Sequence, residues 1–232
     1  MPSSSYRPMT VIVAATMKNG IGLNGGLPWR LPGEMKYFAR VTTGENLDSE
    51  ECNAVVMGRK TWDGIPEKFR PLRNRQNLIV SRNPDGFDLS PSVPKLSVSK
   101  HSSVTHALAS LPERYTRPTP QSNGKDTSRS SRVFLIGGSQ IYAQCLEEAK
   151  SKEPLVDRIL LTRVLEPAFD ECDVFLSDFA QQQTKKISGG REGKAWTQSE
   201  HRELVDWVGW DVPEGVVEEK GVKYRYEMWV RL

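Results

Sequence analysis

The amino-acid sequence predicts one α/β domain, with a central, mostly parallel, twisted sheet, helices on both faces and antiparallel strands at its C-terminal end. Three observations predict this fold. Short apolar runs of strand length recur along the chain, segments with helical spacing lie between them, and the last residues alternate in polarity. Because strands that alternate with helices are joined by crossover connections, most neighbouring strands should run parallel.

Five short runs rich in valine, leucine and isoleucine predict the buried strands. They span residues 11–15, 54–57, 77–80, 132–136 and 158–164. Continuous apolar runs of this length are typical of strands that are covered on both faces.

The C-terminal segment predicts a strand of another kind. An apolar set alternates there with a more polar one: Tyr224, Tyr226, Met228 and Val230 against Lys223, Arg225, Glu227 and Trp229. This alternation predicts a strand with one wetter face.

Helical spacing identifies the segments between the strands. One apolar stripe consists of Met35, Phe38, Ala39 and Thr42, and another of Val104, Leu108 and Leu111. The chain also predicts a short helix from Arg59 and a helix that starts directly after Gly137 and Gly138.

Composition limits the class of protein. A chain of 232 residues can bury a core without disulfides, and a formal charge of +3 is too small to favour nucleic-acid binding. Three cysteines without a CxxC pair, an N-terminus without an apolar signal region and the absence of an apolar run of about 20 residues predict a cytosolic protein. The histidines show no metal-ligand spacing with the cysteines or aspartates, so no metal site is expected.

Two stretches rich in serine, glycine, glutamine and charge interrupt the pattern. They cover residues 112–131 and 181–201. Neither has the apolar content of a second domain, so the sequence predicts a single domain over 1–232, with its core in 9–232 and two mobile surface insertions.

The segment GIGLNG satisfies the dinucleotide fingerprint G-x-G-x-x-G with Gly20, Gly22 and Gly25, directly after the first predicted strand. That fingerprint requires a helix that begins at the glycines, whereas Pro28 and Pro32 follow here and prevent it. The sequence therefore predicts a flexible glycine-rich loop, which still leaves a strand end where α/β sheets bind ligands.

Six motifs in register resemble the dihydrofolate reductases, most closely the longer fungal enzymes of the eukaryotic branch. They are VIVAATMKNGIGLNGGLPW with the acid in LPGEMKYFARVT, then VVMGRKTWDGIPEKFRPLRNRQNLIVSR, VFLIGGSQIY, ILLTRV, FDECDVF and EEKGVKYRYEMW. The resemblance covers nearly all the chain outside the two insertions. It implies the three-layer fold of that family, with eight strands in the sheet.

The resemblance also implies an activity. The expected reaction is NADPH-dependent reduction of 7,8-dihydrofolate to 5,6,7,8-tetrahydrofolate, with a hydride to C6 and a proton to N5, feeding one-carbon and thymidylate metabolism. It further implies a monomer that binds dihydrofolate and antifolate inhibitors.

Glu34 has two interpretations. By local pattern it is an acid at a helix N-terminus, where the helix dipole favours it. By resemblance it is the family's only active-site acid, and an apolar pocket would raise its pKa towards working pH. The resemblance implies that Glu34 binds the amino group and ring nitrogen of the pterin, in a network with Thr162 and a water near Trp29. Whether it protonates N5 directly or through water is left open.

The expected substrate residues include one cation. Arg75 matches the family's arginine for the glutamate tail, since a planar guanidinium can hold a carboxylate through two parallel hydrogen bonds. By composition alone Arg70 or Arg73 would serve as well. The expected apolar walls, each of which could equally be ordinary core, are Met35, Phe38, Ile65, Leu72 and Ile136. The resemblance adds pocket positions at Ile12, Val13, Ala14, Thr61 and Tyr142.

The expected cofactor residues cluster after strands. Gly137 and Gly138 end one strand and begin a helix, which presents backbone N–H groups to a phosphate, and the resemblance implies a cis peptide bond between them. The lysine and serine or threonine of a nucleotide-hydrolase P-loop are missing. The other positions that bind the cofactor in this reading are Ala14, Ile21, Gly25, Gly58, Arg59, Lys60, Thr61, Val80, Ser81, Arg82, Lys100, Ser139, Gln140 and Ile141.

The resemblance places the 2′-phosphate of NADPH at Ser81 and Arg82, and a hydroxyl and a cation suit an extra dianion. A second basic residue should come from the strand end at Lys100 or His101, and the sequence does not decide between them.

Two other functions remain open on the sequence. A pyrimidinone reductase of the riboflavin pathway shares the fold and the nucleotide-binding glycines but lacks the acid-bearing PW…E helix. A non-catalytic module could instead use the pocket, or the basic insertion at 114–132, to bind a partner such as RNA.

Overall fold

The computed structural model describes residues 8–44, 52–89, 97–112, 115, 131–147, 154–180 and 196–231. Its strands are β1 Met9–Thr16, β2 Gly20–Gly22, β3 Asn53–Gly58, β4 Arg75–Val80, β5 Val98–His101, β6 Val133–Leu135, β7 Val156–Glu166, β8 Val174–Phe175, β9 Trp196–Gln198, β10 Val217–Glu219 and β11 Val222–Arg231. Its helices are α1 Pro32–Thr43, α2 Arg59–Gly64, α3 Val104–Ala109, α4 Ser139–Glu147 and α5 His201–Val208, with a 3-10 turn at Glu67–Phe69.

The sheet confirms the predicted mixed architecture. Its strands follow the order β10-β11-β7-β1-β6-β3-β4-β5, which is eight strands across, and the short β9 pairs with the far end of β11. All pairs from β7 to β5 are parallel, whereas β11 runs antiparallel to both β7 and β10. A separate two-stranded sheet joins β2 to β8.

Helices cover both faces of the sheet, as predicted. On one face Val11 and Ala15 of β1 join a core that includes Leu108 of α3 and Leu146 of α4. On the other face Ile12 belongs to a core with residues of α1, α2 and α5. Successive residues of a strand point to opposite faces, so the continuous apolar run of β1 serves both cores.

The predicted apolar stripe of α1 is wrong, because a different face of the helix is buried. The side chains of this helix that are buried are Glu34, Tyr37, Val41 and Thr42. Phe38 and Ala39 are half-buried and Met35 is 49% exposed. Successive residues lie about 100° apart around a helix, so a face centred on Glu34 and Tyr37 turns Met35 outwards.

The prediction of a wetter face on β11 fails at Glu227, which is only 4% exposed. Its carboxylate accepts hydrogen bonds from Arg225 Nε at 2.7 Å and from Trp229 Nε1 at 2.9 Å. Arg163 Nε lies 4.0 Å from the same carboxylate. A buried acid is tolerated when it is paired in this way, so alternation alone could not place it.

The end of the second predicted insertion is part of the fold. Trp196, at the start of β9, is 1% exposed and belongs to the core beside α4, and α5 begins at His201. Residues 181–195 lie outside the described residues, as does the first predicted insertion apart from Pro112, Tyr115 and Ser131. Tyr115 is 2% exposed and packs into the same core.

Within the described part of the chain, none of the helices combines the length and the apolar character that a bilayer span requires.

Candidate active site

Most of the predicted site residues lie at one edge of the sheet. Strands β1, β3, β4, β5 and β6 run parallel, so their carboxyl ends meet at the same edge. Gly58, Val80 and His101 end three of these strands, and Gly137 follows a fourth. The carboxyl edge of a parallel sheet is where open α/β folds bind their ligands.

Glu34 enters this region from the first turn of α1. Its side chain is 6% exposed, and the hydroxyl of Thr162 on β7 lies 3.4 Å from its Oε1. Burial raises the pKa of Glu34 from 4.5 to about 7, while the Thr162 hydrogen bond lowers it and the negative charge of Glu219 raises it. The carboxyl group is therefore poised to gain and lose a proton near neutral pH.

A row across three strands lies beneath Glu34. Ala14 of β1 is directly opposite Thr162, and Tyr226 of β11 is opposite Thr162 on its other side. Glu34 acts electrostatically on Tyr226 and on Tyr142 of α4, and burial together with this charge raises the pKa of both phenols. The structure thus brings Glu34, Thr162, Ala14 and Tyr142 into one site.

Trp29 precedes α1 and is 6% exposed. Its ring packs edge-on against Phe169 at 5.3 Å, and it shares a core with Leu31 and Val164. Its indole Nε1 has no hydrogen-bond partner among the described residues. A buried N–H of this kind is available to a ligand or a water.

The predicted apolar walls separate into three groups. Phe38, Ile65, Leu72 and Ile136 are all half-buried against the core that Ile12 shares. Met35 is instead half-exposed. Val13 faces the opposite core, beneath α3 and α4, so its side chain is not in the pocket and only its backbone remains available there.

Arg75 is a buried cation at the start of β4. It is 8% exposed, its Nη1 donates to Thr42 Oγ1 at 2.6 Å, and its Nε donates to the carbonyl oxygen of Arg73 at 3.0 Å. Burial lowers its pKa to about 10, so it stays charged at neutral pH. No ion pair to Arg75 occurs within the described ranges, whereas Arg73 is exposed and Arg70 lies over the Trp62 ring.

Three glycines form a cradle at the ends of β3 and β6. The peptide bond between Gly137 and Gly138 is cis, as expected. Gly58 N donates to the Gly137 carbonyl at 2.7 Å, and a Cβ at Gly137 or Gly138 would lie 3.3 Å from Thr61 Oγ1. A side chain at either position would crowd this hydroxyl, and α4 begins directly afterwards at Ser139.

The predicted cations lie around this cradle. Arg59 and Lys60 are exposed at the start of α2, and Arg82 is exposed after β4. Ser81 N donates to the His101 carbonyl at 2.9 Å, which brings the ends of β4 and β5 together. Positive charge is therefore available at the end of β3, beside the glycines, and at the end of the next strand, β4.

Lys100 and His101 differ in what they offer. Lys100 Nζ donates to the Phe87 carbonyl at 2.9 Å and stays near the end of the sheet. His101 is 5% exposed, its Nε2 contacts the Ser99 hydroxyl at 2.7 Å, and burial with the nearby His106 lowers its pKa. A buried neutral imidazole is a poor phosphate ligand, so Lys100 fits that position better.

The glycine-rich segment forms a strand and a loop and not a Rossmann helix. Gly20 and Gly22 pair with β8, and Gly25 has a φ of 79° at an open turn. Arg163 Nη1 fixes the base of this loop, since it donates to the Thr16 carbonyl at 2.7 Å and to Asn19 Oδ1 at 2.9 Å. Ile21 is half-buried against the core.

One acid near the site was not identified by the sequence reasoning. Glu219 of β10 accepts hydrogen bonds from the Gly33 amide, and its negative charge raises the pKa of Glu34. The motif EEKGVKYRYEMW contains it, but no role was assigned to it. A signal was present in Leu31, because leucine cannot cap the helix that follows it.

Comparison with known proteins gives a consistent result. The family model described as dihydrofolate reductase matches residues 8–204. A dihydrofolate reductase of Cryptococcus neoformans is 46% identical over 243 residues, covering 98% of this chain and 96% of that protein. One of Pneumocystis carinii is 36% identical, covering 98% of each chain, and one of Sus scrofa is 33% identical, covering 96% and 97%. The solved structure of Schistosoma mansoni dihydrofolate reductase superposes with a TM-score of 0.66 at 27% identity, covering 98% of this chain and all of that one.

Proposed function

The chain belongs to the dihydrofolate reductase family, and from that premise we propose that it reduces 7,8-dihydrofolate with NADPH, using Glu34 as the proton-handling group. The family assignment makes the protein an oxidoreductase that forms tetrahydrofolate with a nicotinamide cofactor. The observation that carries the role of Glu34 is a buried carboxyl group with a pKa of about 7 at the carboxyl edge of the sheet.

Glu34 has the properties that protonation of N5 requires. A carboxyl group at its ordinary pKa of 4.5 would be almost fully ionised at pH 7, whereas one near 7 holds its proton about half of the time. Thr162 donates to Oε1 and so fixes the orientation of the group. Glu34 would bind the amino group and ring nitrogen of the pterin, and Trp29 Nε1 offers a further buried donor for a water.

Arg75 would bind the glutamate tail of the substrate. It is a buried, charged guanidinium that Thr42 holds in place, and no acid pairs with it within the described ranges. A carboxylate of the substrate would form the ion pair with Arg75 that no described acid of the protein forms. Phe38, Ile65, Leu72 and Ile136 would surround the rings between the tail and the pterin.

The glycine cradle fits the diphosphate of a dinucleotide. Space that a Cβ would fill at Gly137 and Gly138 adjoins the start of α4 and Thr61 of α2, the helix that Arg59 and Lys60 begin. When bound, the nicotinamide cofactor supplies the hydride to C6. Ser81, Arg82 and Lys100 would select the extra phosphate of NADPH over NADH. The loop over residues 17–27 would exclude water from the reacting atoms.

Oxidation of NADPH, followed by absorbance with and without dihydrofolate, tests the activity. We expect turnover only when both are present, with NADH a much poorer donor, and the opposite cofactor preference would refute the assignment of Ser81 and Arg82. For Glu34→Gln we expect NADPH binding, measured by tryptophan fluorescence, to stay within about twofold, and turnover at pH 7 to fall by at least about 100-fold. The exposed Glu67→Gln is the matched control.

Survival of dihydrofolate turnover in Glu34→Gln at neutral pH would show that another group handles the proton. Cytosolic location and a monomeric state also remain predictions, to be checked by fractionation and by mass measurement in solution.

A further inference from the structure

The helix that carries Glu34 begins without a cap of its own. Its N-cap residue is Leu31, whose side chain makes no capping hydrogen bond, and Pro32 follows at the first helical position. Proline has no amide hydrogen, so the first N–H group of α1 that needs a partner is that of Gly33. Glu34 is the next residue along the chain.

Glu219 supplies the missing cap from another part of the chain. Gly33 N donates to Oε1 and to Oε2 of Glu219, at 3.0 Å in each case. The hydroxyl of Tyr224 donates to Oε2 of the same carboxylate at 3.3 Å. Glu219 and Tyr224 lie on the hairpin of β10 and β11, so the C-terminal hairpin holds the first turn of the helix.

Gly33 leaves room for this contact. A Cβ at residue 33 would lie 2.9 Å from Glu219 Oε2 and 3.2 Å from Tyr224 Oη, so a larger residue would require the carboxylate to shift. Two segments that are 186 positions apart in sequence therefore fit together at the residue before the active-site acid.

The charge of Glu219 opposes the helix dipole. The positive end of α1 would by itself favour ionised Glu34, whereas a carboxylate at that end offsets this effect. Among the described residues, the other titratable groups on which Glu34 acts are phenols, none of which adds charge at neutral pH: Tyr37 of α1, Tyr142 of α4, and Tyr224 and Tyr226 of β11. Among these groups Glu219 alone is an acid like Glu34.

We propose that Glu219 is a positioning residue for the reductase reaction: its carboxylate caps Gly33, fixes the first turn of α1, and by its charge favours the protonated form of Glu34. The inference rests on the proposed function, because it concerns how that site holds its proton. Glu219 contacts the amide of Gly33 and acts on Glu34 through that contact and through its charge.

Three variants test the proposal. Glu219→Gln keeps an oxygen acceptor for Gly33 and removes the charge, and Glu219→Ala removes both. Glu218→Gln removes an exposed charge from the same strand and is the matched control. Glu219 borders a cavity of about 430 Å³ beside α1, so its truncation opens no closed void in the core.

The first readout is the rate of hydride transfer between pH 5 and pH 9, and the second is the titration of the Glu34 carboxyl by ¹³C NMR. For Glu219→Gln we expect the profile and the titration to move together to lower pH, with a loss of rate of about threefold at pH 8 and little change in KM. Glu219→Ala should show the same shift and a further fall in kcat, whereas Glu218→Gln should match the wild type.

A Glu219→Gln protein that titrates and reacts like the wild type would overturn the proposal. An inactive wild type would instead refute the proposed function, and the NMR titration would still decide the role of Glu219. If Glu219→Ala does not fold, Glu219→Gln, which is close to isosteric, carries the test alone.

Discussion

The hydroxyl group of Thr162 lies 3.4 Å from Oε1 of Glu34 and joins the central strand β7 to the helix that covers it. This contact lowers the pKa of Glu34, against the larger effect of burial. The site therefore depends on a balance in which one hydrogen bond limits how far the carboxyl group is pushed towards its neutral form.

For Thr162→Val we expect the pKa of Glu34 to rise further and hydride transfer at pH 7 to slow by about tenfold, because the carboxyl group loses its fixed orientation. Stopped-flow measurement of NADPH oxidation as a function of pH tests this. Thr10→Val, at a buried threonine of the adjacent strand four positions from Ala14, is the control. An unchanged pH profile in Thr162→Val would exclude the hydrogen bond from the mechanism.

Glu34 should make the stability of the protein depend on pH. Its pKa is 4.5 when unperturbed and about 7 in the folded chain, so between these values the folded protein binds more protons than the unfolded one. The stabilisation is fully present below pH 4.5 and is lost as pH rises through 7. For Glu34→Gln we expect a gain relative to wild type of about 3 kcal/mol in the free energy of unfolding between pH 4.5 and pH 8.5.

Urea denaturation of both proteins at these two pH values measures that difference. The exposed Glu67→Gln should keep the pH dependence of the wild type. A wild type and a Glu34→Gln protein with parallel pH dependence would mean that Glu34 titrates normally.

Arg75→Lys tests recognition of the glutamate tail. Lysine keeps the charge but loses the fork that Thr42 and the Arg73 carbonyl hold in place. We expect KM for dihydrofolate to rise at least about tenfold with a smaller change in kcat, and no change for a dihydropterin that lacks the benzoylglutamate tail. Arg73→Lys, at an exposed neighbour, is the control; an equal loss with both substrates would place Arg75 in a structural role only.

Gly137→Ala tests the glycine cradle. The new Cβ would meet Thr61 Oγ1 at 3.3 Å and Tyr142 Oη at 3.4 Å, in a backbone with a φ of 121°. We expect NADPH affinity, followed by tryptophan fluorescence, to fall by at least about tenfold. Gly209→Ala also has a positive φ but has nothing within 4 Å of the new Cβ, so it should lower stability without affecting NADPH.

The strands of the sheet could be predicted because their signal is local. The run 11–15 is apolar throughout, and so is the centre of the run 158–164 at residues 159–161, and the sheet buries both faces there. The short strands β2, β8, β9 and β10 carry no such signal, since they span two or three residues and depend on partners elsewhere in the chain. Tertiary contact decides such elements.

The sequence predicted the location of some site residues correctly, whereas their roles stay predictions. Gly137 and Gly138 follow β6 and precede α4, as their motif predicts. Which strands are neighbours decides that Val13 points to the core beneath α3 and α4 and that Glu227 is buried. The cap at Gly33 depends on a residue 186 positions away. No pattern within one segment contains that information.

The position of β11 has a consequence for synthesis of the protein. This strand lies in the interior of the sheet, between β7 and β10, although every other described strand precedes it in the chain. During synthesis on the ribosome, β7 therefore has an unpaired edge, and the first turn of α1 lacks its cap, until residues 217–231 have emerged. We therefore expect activity to appear only after residues 217–231 have emerged and β11 has paired with β7.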